Sequence, residues 1–386
     1  MAFALLPDVP AHVAPPALVA PAPREVSFGR IAGTVGRGTD RVIVSIDGKP
    51  SLDRRVARRR FAFRLALPPR DVAVRIEALD ALGNRAGRTV APVFGLPPRD
   101  VPRATRPYED GELARELDEL VRRFNGISAV YVENLRTGAG AAWNARARFP
   151  AASTVKLAIA IEVLRSLVAR PPPGSELDGL LERMLVASDN EAANELLAWL
   201  GGSDAGGAAR VNELLAALGL GDSELYGGFF AAAGHGDPIP LRIESEPAFE
   251  GKYTTAWDLA RLHRFLHLAA GDRGPLLDVS GSFTGADARF LLYVLAHSAD
   301  HGKLDRYLPP DVVVPHKAGW ITEARHDCGV VYAPSGAFVA AVMTWTGAGA
   351  GDASDELAGR VAKLALGHFR APDGRSASGI AYSFSL

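Results

Sequence analysis

The stretch FPAASTVKLAIAIEVL, residues 149–164, carries a short polar segment inside an apolar run. Proline is best tolerated in or just before the first turn of a helix, so Pro150 predicts a helix that begins at Ser153. The apolar residues behind it predict that this helix is buried. Ser153 would then lie at a helix N-terminus, where free N–H groups and the helix dipole favour developing negative charge.

Lys156 follows Ser153 by three residues, so a helix would bring its amine to the same face as the hydroxyl. A serine hydroxyl is a weak nucleophile that needs a base, and a desolvated lysine can lose its proton near neutral pH. Only six of the 43 basic side chains are lysines. Because arginine cannot be deprotonated, a lysine at this position indicates a base rather than a simple cation.

Two further polar segments follow, SDN at residues 188–190 and KAG at residues 317–319. Taken alone, the first is a good helix N-cap. Gly319 in the second lets a substrate backbone approach closely. The order of the three segments resembles the S-x-x-K, S-D-N and K-T-G motifs of class A β-lactamases and penicillin-binding proteins. The resemblance covers about residues 108–370.

The resemblance implies a catalytic role for each polar segment. Ser153 would be the acylated nucleophile and Lys156 its base. Ser188 would relay a proton from Lys317 or Lys156 to the leaving nitrogen. Asn190 would bind the amide on the acyl side of the substrate.

The resemblance also assigns substrate-binding groups around the third segment. The backbone N–H groups of Ser153 and Trp320 would form the oxyanion hole. The strand that contains Gly319 would bind substrate by strand pairing. Arg325 matches the family's carboxylate-binding arginine in approximate position, and the alternative is a solvated hairpin arginine.

Three features depart from the family pattern. Ala318 stands where the family has Thr or Ser, so it cannot offer a hydroxyl to the substrate carboxylate. The 34 residues between Ser153 and Ser188 are fewer than in typical class A enzymes. Glu246 is the nearest match to the glutamate that activates the deacylating water, and the alternative is an exposed acidic loop. These departures predict slow turnover.

The chain divides near residue 100. Residues 1–24 are rich in Pro and Ala and are expected to be extended or disordered. Residues 25–96 show alternating apolar positions and a turn at Asp47-Gly48, which predict a small all-β sandwich similar to immunoglobulin-like modules, serving as a spacer or docking module. The Pro-rich residues 97–107 are a predicted linker, 108–371 a catalytic domain, and 372–386 a C-terminal tail.

The catalytic domain is predicted to be α+β. Strand signals occur near residues 128–134, 139–144, 312–315, 328–332 and 337–344, with a helical block at 153–270 and a last helix at 352–369. Strands at both ends imply one antiparallel sheet flanked by helices, with a helical insertion. The serine β-lactamase/penicillin-binding fold has this layout.

Composition excludes several classes of function. The net charge of −1 gives no nucleic-acid footprint, and the single cysteine, Cys328, excludes a disulfide framework. No apolar run is long enough to span a membrane, and no Gly-rich phosphate loop implies a nucleotide cofactor. His263 and His267 are spaced like zinc ligands, but Arg264 stands where the zinc motif needs Glu. No metal or cofactor is therefore expected.

The sequence thus indicates a metal-free serine hydrolase whose substrate is a β-lactam. A D-alanyl-D-alanine carboxypeptidase acting on cell-wall peptides is the first alternative, and a slow β-lactam-binding or sensor module is the second. The resemblance implies export to the periplasm or the outside of a bacterial cell, although the N-terminus lacks the basic region of a signal peptide. The oligomeric state cannot be predicted.

Overall fold

The computed structural model describes residues 13–225, 241–279 and 281–370. The chain forms two compact units, Met1–Arg99 and Asp100–Leu386. The predicted tail at 372–386 and the first twelve residues of the predicted N-terminal segment lie outside the described residues. In the ranges that are described, none of the helices has the length and apolar character needed to cross a membrane.

The first unit consists of two β-sheets around one apolar core. Its strands are β1 (Ala17–Ala20), β2 (Glu25–Ser27), β3 (Arg30–Thr34), β4 (Thr39–Ile46), β5 (Lys49–Arg55), β6 (Arg60–Arg64), β7 (Asp71–Asp80) and β8 (Arg85–Gly95). One sheet has the order β1-β3-β6 and the other the order β2-β8-β7-β4-β5. Val42, Val44, Val74 and Ile76 alternate with outward residues and are fully buried, as half-buried strands require.

The predicted all-β character of this unit is confirmed. Asp47 and Gly48 join β4 to β5 with φ values of 48° and 78°, the positive values of a type I′ hairpin turn. The strand system begins earlier than residue 25. β1, inside the segment expected to be extended or disordered, pairs antiparallel with β3 and so satisfies its backbone groups.

A six-stranded sheet forms the centre of the second unit. The strands of this unit are β9 (Tyr108–Glu109), β10 (Ile127–Asn134), β11 (Ala139–Trp143), β12 (Phe149–Pro150), β13 (Tyr253–Thr254), β14 (His316–Trp320), β15 (Ala324–Ala333) and β16 (Gly336–Trp345). The sheet order is β14-β15-β16-β10-β11-β9, and β12 pairs separately with β13. Because β10 pairs with β16, segments from both ends of the unit close the sheet, as predicted.

Helices cover both faces of this sheet. They are α1 (Gly111–Val121), α2 (Lys156–Arg165), α3 (Glu176–Val186), α4 (Asn190–Gly201), α5 (Asp204–Ala217), α6 (Ala256–Ala270), α7 (Pro275–Asp278), α8 (Gly285–Ala296) and α9 (Asp352–Phe369). α1 and α9 pack on one face, where Leu117, Val130 and Phe338 share a core. α6 packs on the other face, where Arg264 pairs with Glu133 of β10 at 3.0 Å. The α+β prediction is confirmed.

The sheet differs from the prediction in two places. β9 runs parallel to β11, so the sheet is not wholly antiparallel. β14 begins at His316 rather than at residue 312. Val313 forms an isolated bridge with Tyr332, and Pro315 has no N–H with which to extend the ladder.

A buried ion-pair cluster fixes α2, the helix that follows Ser153. Glu162 is fully buried, and its carboxylate pairs with Arg165 at 2.6 Å and with Arg210 of α5 at 3.0 Å. Arg210 also donates to Ser166 at 2.9 Å. A carboxylate buried in this way stays stable only while its cations remain. The cluster therefore ties α2 to α5.

Arg165→Met should lower the free energy of unfolding by on the order of 3 kcal/mol, because it removes one of the two cations that pair with the buried Glu162 carboxylate. Arg210 would remain as the second cation. Arg183→Met is the matched control. Arg183 is 53% exposed and its contacts with Asp189 and Glu195 are 3.7 Å and 3.5 Å, so its loss should cost less than about 1 kcal/mol. Urea unfolding measures both. Equal destabilisation by the two substitutions would show that the buried ion pairs stabilise the fold no more than an exposed ion pair does.

Candidate active site

Ser153 lies in the turn that leads into α2. The Thr154 N–H donates to the Ala151 carbonyl at 3.2 Å, and the Lys156 N–H donates to the Ser153 carbonyl at 3.2 Å. The helix itself begins at Lys156, so the predicted start at Ser153 is wrong by three residues. The φ of Ala152 is 45°, which is not a helical value, so the chain turns before the helix forms.

Lys156 is held by three oxygens of the second polar segment. Its Nζ donates to the Ser188 carbonyl at 2.5 Å, to Asn190 Oδ1 at 2.6 Å and to the Asp189 carbonyl at 3.3 Å. Burial lowers the pKa of Lys156 to about 8; the charge of Lys252 lowers it further, and Asp189 opposes the shift. A minority of this amine is therefore neutral near physiological pH, far more than for a lysine in water.

Ser188 lies between two lysines. Lys317 Nζ donates to Ser188 Oγ at 2.9 Å, while the Ser188 carbonyl receives Lys156. Ser188 has a φ of 57°, a left-handed conformation that costs a non-glycine residue about 1–3 kcal/mol. This conformation lets one residue present its hydroxyl to one amine and its carbonyl to the other.

Lys317 is the more deeply buried of the two amines, at 1% exposed. Its Nζ also donates to the Ala318 carbonyl at 2.8 Å. Burial lowers the pKa of Lys317 to about 8, and the charge of Lys156 lowers it further, while Asp300 and Asp327 oppose the shift. A positive charge on Lys156 therefore disfavours protonation of Lys317.

The second polar segment combines capping with contacts to the lysines. Asp189 is the N-cap of α4, and its carboxylate accepts from the N–H groups of Glu191 at 2.8 Å and Ala192 at 3.2 Å. The helix-cap interpretation is therefore confirmed for Asp189. Asn190, the first residue of α4, uses its Oδ1 for Lys156, so its Nδ2 group is directed elsewhere.

β14 is the edge strand of the sheet, so alternate backbone groups of this strand face away from its neighbour β15. Ile321 and Ala324 exchange hydrogen bonds at 2.9 Å and 3.3 Å, and the Val330 N–H donates to the Pro315 carbonyl at 3.0 Å. Bonded and non-bonded pairs alternate in an antiparallel ladder. The backbone N–H of Trp320 and the carbonyl of Ala318 consequently point away from β15.

Gly319 packs directly on the Ser153 turn. A Cβ placed on Gly319 would lie 2.6 Å from the Ser153 nitrogen and 2.9 Å from the Thr154 nitrogen. Such a contact is too short for a side chain, so glycine is required where the strand meets the turn. The contact therefore holds β14 directly against the turn that carries Ser153.

Two of the predicted substrate-binding residues have other surroundings. Ala318 is fully buried, and strand alternation places its methyl on the face opposite Lys317. Arg325 lies across from Trp320 in the ladder and forms a short ion pair with Asp355 of α9. Burial raises the pKa of Asp355, and Arg325 opposes that shift. Arg325 is therefore an ion-paired side chain, and neither a free carboxylate-binding group nor a solvated hairpin arginine.

Glu246 is exposed, and its carboxylate accepts a hydrogen bond from the Arg148 N–H at 2.8 Å. No hydrogen bond joins it to Ser153, Lys156 or Ser188 within the described residues. The structure therefore ties this carboxylate to the chain just before β12. Its predicted role as a base stays a prediction.

Two buried histidines, one in β14 and one in β15, fix these strands through hydrogen bonds. His316 bonds to Asp327 at 2.8 Å; burial alone lowers the pKa of His316, but the charge and hydrogen bond of Asp327 outweigh it and raise the pKa. Burial lowers the pKa of His326 to about 4, so this ring is neutral. It contacts the Pro150 carbonyl at 2.8 Å and accepts from the Thr344 N–H at 3.3 Å. His326 thereby ties the sheet to the segment that leads into Ser153.

The two α6 histidines have protein partners. His263 Nδ1 contacts the Leu259 carbonyl at 2.9 Å and Cys328 Sγ at 3.2 Å, and His267 Nδ1 contacts the Tyr332 hydroxyl at 2.8 Å. Burial lowers the pKa of both rings, to about 4 and about 3. The described residues contain no cluster of His, Cys, Asp and Glu that could hold a metal ion.

Two lysines near the site were not predicted. The Lys252 carbonyl accepts from the Ala151 N–H at 3.0 Å, and its charge lowers the pKa of Lys156. Lys303 is 6% exposed, forms a short ion pair with Asp300 and lowers the pKa of Lys317. Two of the six lysines thus contribute their amines to the site, and the charges of two more act on those amines. The scarcity of lysine was the sequence signal that could have revealed them.

Half-buried Ser188 bonds to two buried lysines beside the Ser153 turn, at the edge of a sheet flanked by helices, an arrangement typical of the serine hydrolases as a class. Residues 112–171 and 170–369 match the model of the beta-lactamase enzyme family, and the chain belongs to this family. It is a β-lactamase-type serine hydrolase. No curated protein matches the chain.

Several solved structures share this fold. The chain is similar to PBP-A, with 22% identity and a TM-score of 0.52 over 68% of this chain and 98% of that one. It is similar to an ancestral class A β-lactamase called GNCA, with 24% identity and a TM-score of 0.51 over 66% and 99%. A class A β-lactamase representative from Bacteroides cellulosilyticus DSM 14838 has 21% identity and a TM-score of 0.50 over 68% and 98%.

Gly319→Ala should reduce the rate of acylation by a penicillin by on the order of 10²-fold, since misplacing reacting groups by about an ångström has this effect. The added methyl must push the Ser153 turn away from β14. Gly347→Ala is the control, because nothing lies within 4 Å of a Cβ at that position. Stopped-flow labelling measures both rates. A Gly319→Ala rate equal to that of the control would refute the proposed contact.

Lys252→Ala should move the acid limb of the pH–acylation profile to higher pH. Lys252 lowers the pKa of Lys156, so its removal raises that pKa and leaves less neutral amine at pH 7. The plateau at high pH should be unchanged. Lys363→Ala on α9 is the control. A profile that does not move with Lys252→Ala would show that Lys156 is not the titrating base.

Proposed function

We propose that this chain opens β-lactam rings through an acyl-enzyme on Ser153 and hydrolyses that intermediate slowly. The observation that carries the proposal is the pair of lysines with lowered pKa around Ser188, next to the Ser153 turn. Such an arrangement supplies a proton acceptor for the nucleophile and a proton path to the leaving group.

Acylation begins with neutral Lys156. It accepts the Ser153 hydroxyl proton while Ser153 Oγ bonds to the lactam carbonyl carbon. The carbonyl oxygen becomes an oxyanion, which the N–H groups of Ser153 and Trp320 would stabilise. Outward-facing backbone at Trp320 and the close approach of Gly319 to Ser153 support this assignment.

Collapse of the oxyanion then breaks the carbon–nitrogen bond. The leaving nitrogen takes the Ser188 hydroxyl proton, and Ser188 recovers a proton from Lys317 or from protonated Lys156. The bond between Lys317 Nζ and Ser188 Oγ supports the first route. Asn190 Nδ2 would bind the substrate's acyl-side amide, while the charges of Lys317 and Lys252 would attract its carboxylate.

Deacylation needs a second base, and the described residues offer a poor one. The carboxylate of Glu246 is bonded to the Arg148 N–H, and that of Asp189 caps α4. Without base assistance, worth about 10²–10⁴-fold, the acyl-enzyme persists. A variant of PBP-A has been solved as an acyl-enzyme complex with penicillin G. We therefore propose easily detected acylation followed by slow hydrolysis.

Ser153→Ala should abolish the adduct that a penicillin forms, because the mutation removes the attacking oxygen. Mass spectrometry of the intact protein measures the adduct, and absorbance measures ring opening. Ser51→Ala, a change to an exposed serine of β5, should label like the native chain. An adduct on the Ser153→Ala variant would refute the assignment of the nucleophile. Native turnover of on the order of 10²–10³ per second would refute slow hydrolysis.

Glu246→Gln should leave both acylation and deacylation within about twofold of the native rates, because the carboxylate faces Arg148 rather than the lysines. Release of the labelled acyl group over time measures deacylation. If the substitution instead trapped the acyl-enzyme, Glu246 would be the water-activating base after all. Normal acylation in both proteins would show that the site is intact.

A D-alanyl-D-alanine carboxypeptidase is the second candidate, because slow release of a β-lactam is compatible with transfer of a natural peptide acyl group. The fold likeness to PBP-A favours it, as do the partners of Lys156, which among the described residues are two carbonyls and an amide oxygen rather than a carboxylate. A peptide ending in D-Ala-D-Ala tests it through release of D-alanine. A chain that is stably labelled by a penicillin, releases no D-alanine and does not turn over the β-lactam would instead be a β-lactam-binding or sensor module. Each of these activities would place the chain outside the cytoplasm of a bacterium.

A further inference from the structure

Charge is divided unevenly between the two units. Residues 1–99 carry 16 lysines and arginines against 8 aspartates and glutamates, a net charge of +8. Residues 100–386 carry 27 against 36, a net charge of −9. The net charge of −1 for the whole chain therefore conceals a basic unit and an acidic unit. A basic surface of this size attracts polyanions.

The positive charge is concentrated along one side of the sandwich. β5 and β6 are the outermost strands of the two sheets, and the chain passes directly from one to the other. The arginines of these strands and of their connection, together with one arginine of β3, form a surface that we name the arginine edge. Its members, all exposed, are Arg30, Arg54, Arg55, Arg58, Arg59, Arg60 and Arg64.

Acidic groups balance little of this charge. Arg55 approaches Asp40 at 3.9 Å, but its side chain is 84% exposed. Arg59 Nε donates to the Val35 carbonyl at 3.4 Å. The other five arginines of the edge form no ion pair within the described residues. Their guanidinium groups are therefore available to an external anion.

The strand register brings like charges together. Arg30 of β3 lies directly opposite Arg64 of β6. Like charges in directly opposed positions destabilise a sheet. Charged edge strands discourage aggregation, but that purpose does not require Arg30, which lies on the central strand of its sheet. A bound anion would offset the repulsion.

We propose that the arginine edge binds a linear anionic polymer in which phosphodiesters link polyols. The planar guanidinium forms two parallel hydrogen bonds to a phosphate group. None of the large hydrophobic side chains between residues 49 and 64 is exposed. Single-stranded nucleic acids use aromatic stacking and bilayers take up inserted apolar side chains, so neither suits this surface as well. The choice of a wall-type polymer over other polyanions rests on the proposed function.

The test measures binding of the full chain to a short, dye-labelled poly(glycerol phosphate). Fluorescence anisotropy of the dye reports the binding. If five arginines contact phosphates, affinity should fall by on the order of 10²-fold between about 50 and 200 mM salt. Arg60→Ala/Arg64→Ala should weaken binding and reduce the slope of log affinity against log salt by about 1.5. Ser153→Ala should bind as the native chain does, so this test is independent of the hydrolase assay.

Arg85→Ala/Arg88→Ala is the matched control. Both residues are exposed on β8, which β7 and β4 separate from β5 in the five-stranded sheet. Their replacement changes the net charge by the same amount as Arg60→Ala/Arg64→Ala does. This variant should keep its affinity for the polymer. Equal loss in the two double variants, or no binding at all, would overturn the proposal. Tighter binding to duplex DNA with matched phosphates, to phosphatidylglycerol vesicles, or to a second copy through salt-sensitive self-association would also overturn it.

Discussion

The hydrogen bonds that hold Ser188 between two lysine amines are the interaction on which the rest of the site depends. Ser188 gives its carbonyl to Lys156 and its hydroxyl to Lys317. Both amines are buried, and burial lowers the pKa of each; the charge of Lys252 lowers the pKa of Lys156 further, and the charge of Lys156 lowers that of Lys317. The strained backbone of Ser188 is the cost of serving both, and the capped start of α4 keeps that backbone in place.

The fold brings these groups together from three distant parts of the chain. α2 and its preceding turn supply Ser153 and Lys156, the start of α4 supplies Ser188 and Asn190, and the edge strand β14 supplies Lys317. β14 needs a glycine at position 319, because the strand approaches the Ser153 turn too closely for a side chain. His326 then bonds the sheet to Pro150, so the strand and the turn keep a fixed spacing. Burial thus serves both stability and reactivity.

Local patterns predicted much of this arrangement. The spacing of Ser153 and Lys156, the apolar run behind them and the alternation in the terminal strands are short-range features that a sequence displays directly. The exact start of α2 and of β14 escaped prediction, because turn geometry at Ala152 and Pro315 decided them. The Arg148 contact of Glu246, the Asp355 contact of Arg325 and the position of Lys252 depend on long-range packing. The overall net charge likewise concealed the basic first unit, since opposite charges in the two units cancel in the sum.

The most direct test of the account is titration of the lysine amines themselves by NMR. With only six lysines, protein labelled with ¹³C at the lysine ε-carbon should give a simple spectrum, and Lys→Arg variants assign its signals. We expect the signals of Lys156 and Lys317 each to titrate with an apparent pKa of about 8. Titration of both amines at the ordinary lysine value of about 10.4 would contradict the claim that burial makes them bases near neutral pH.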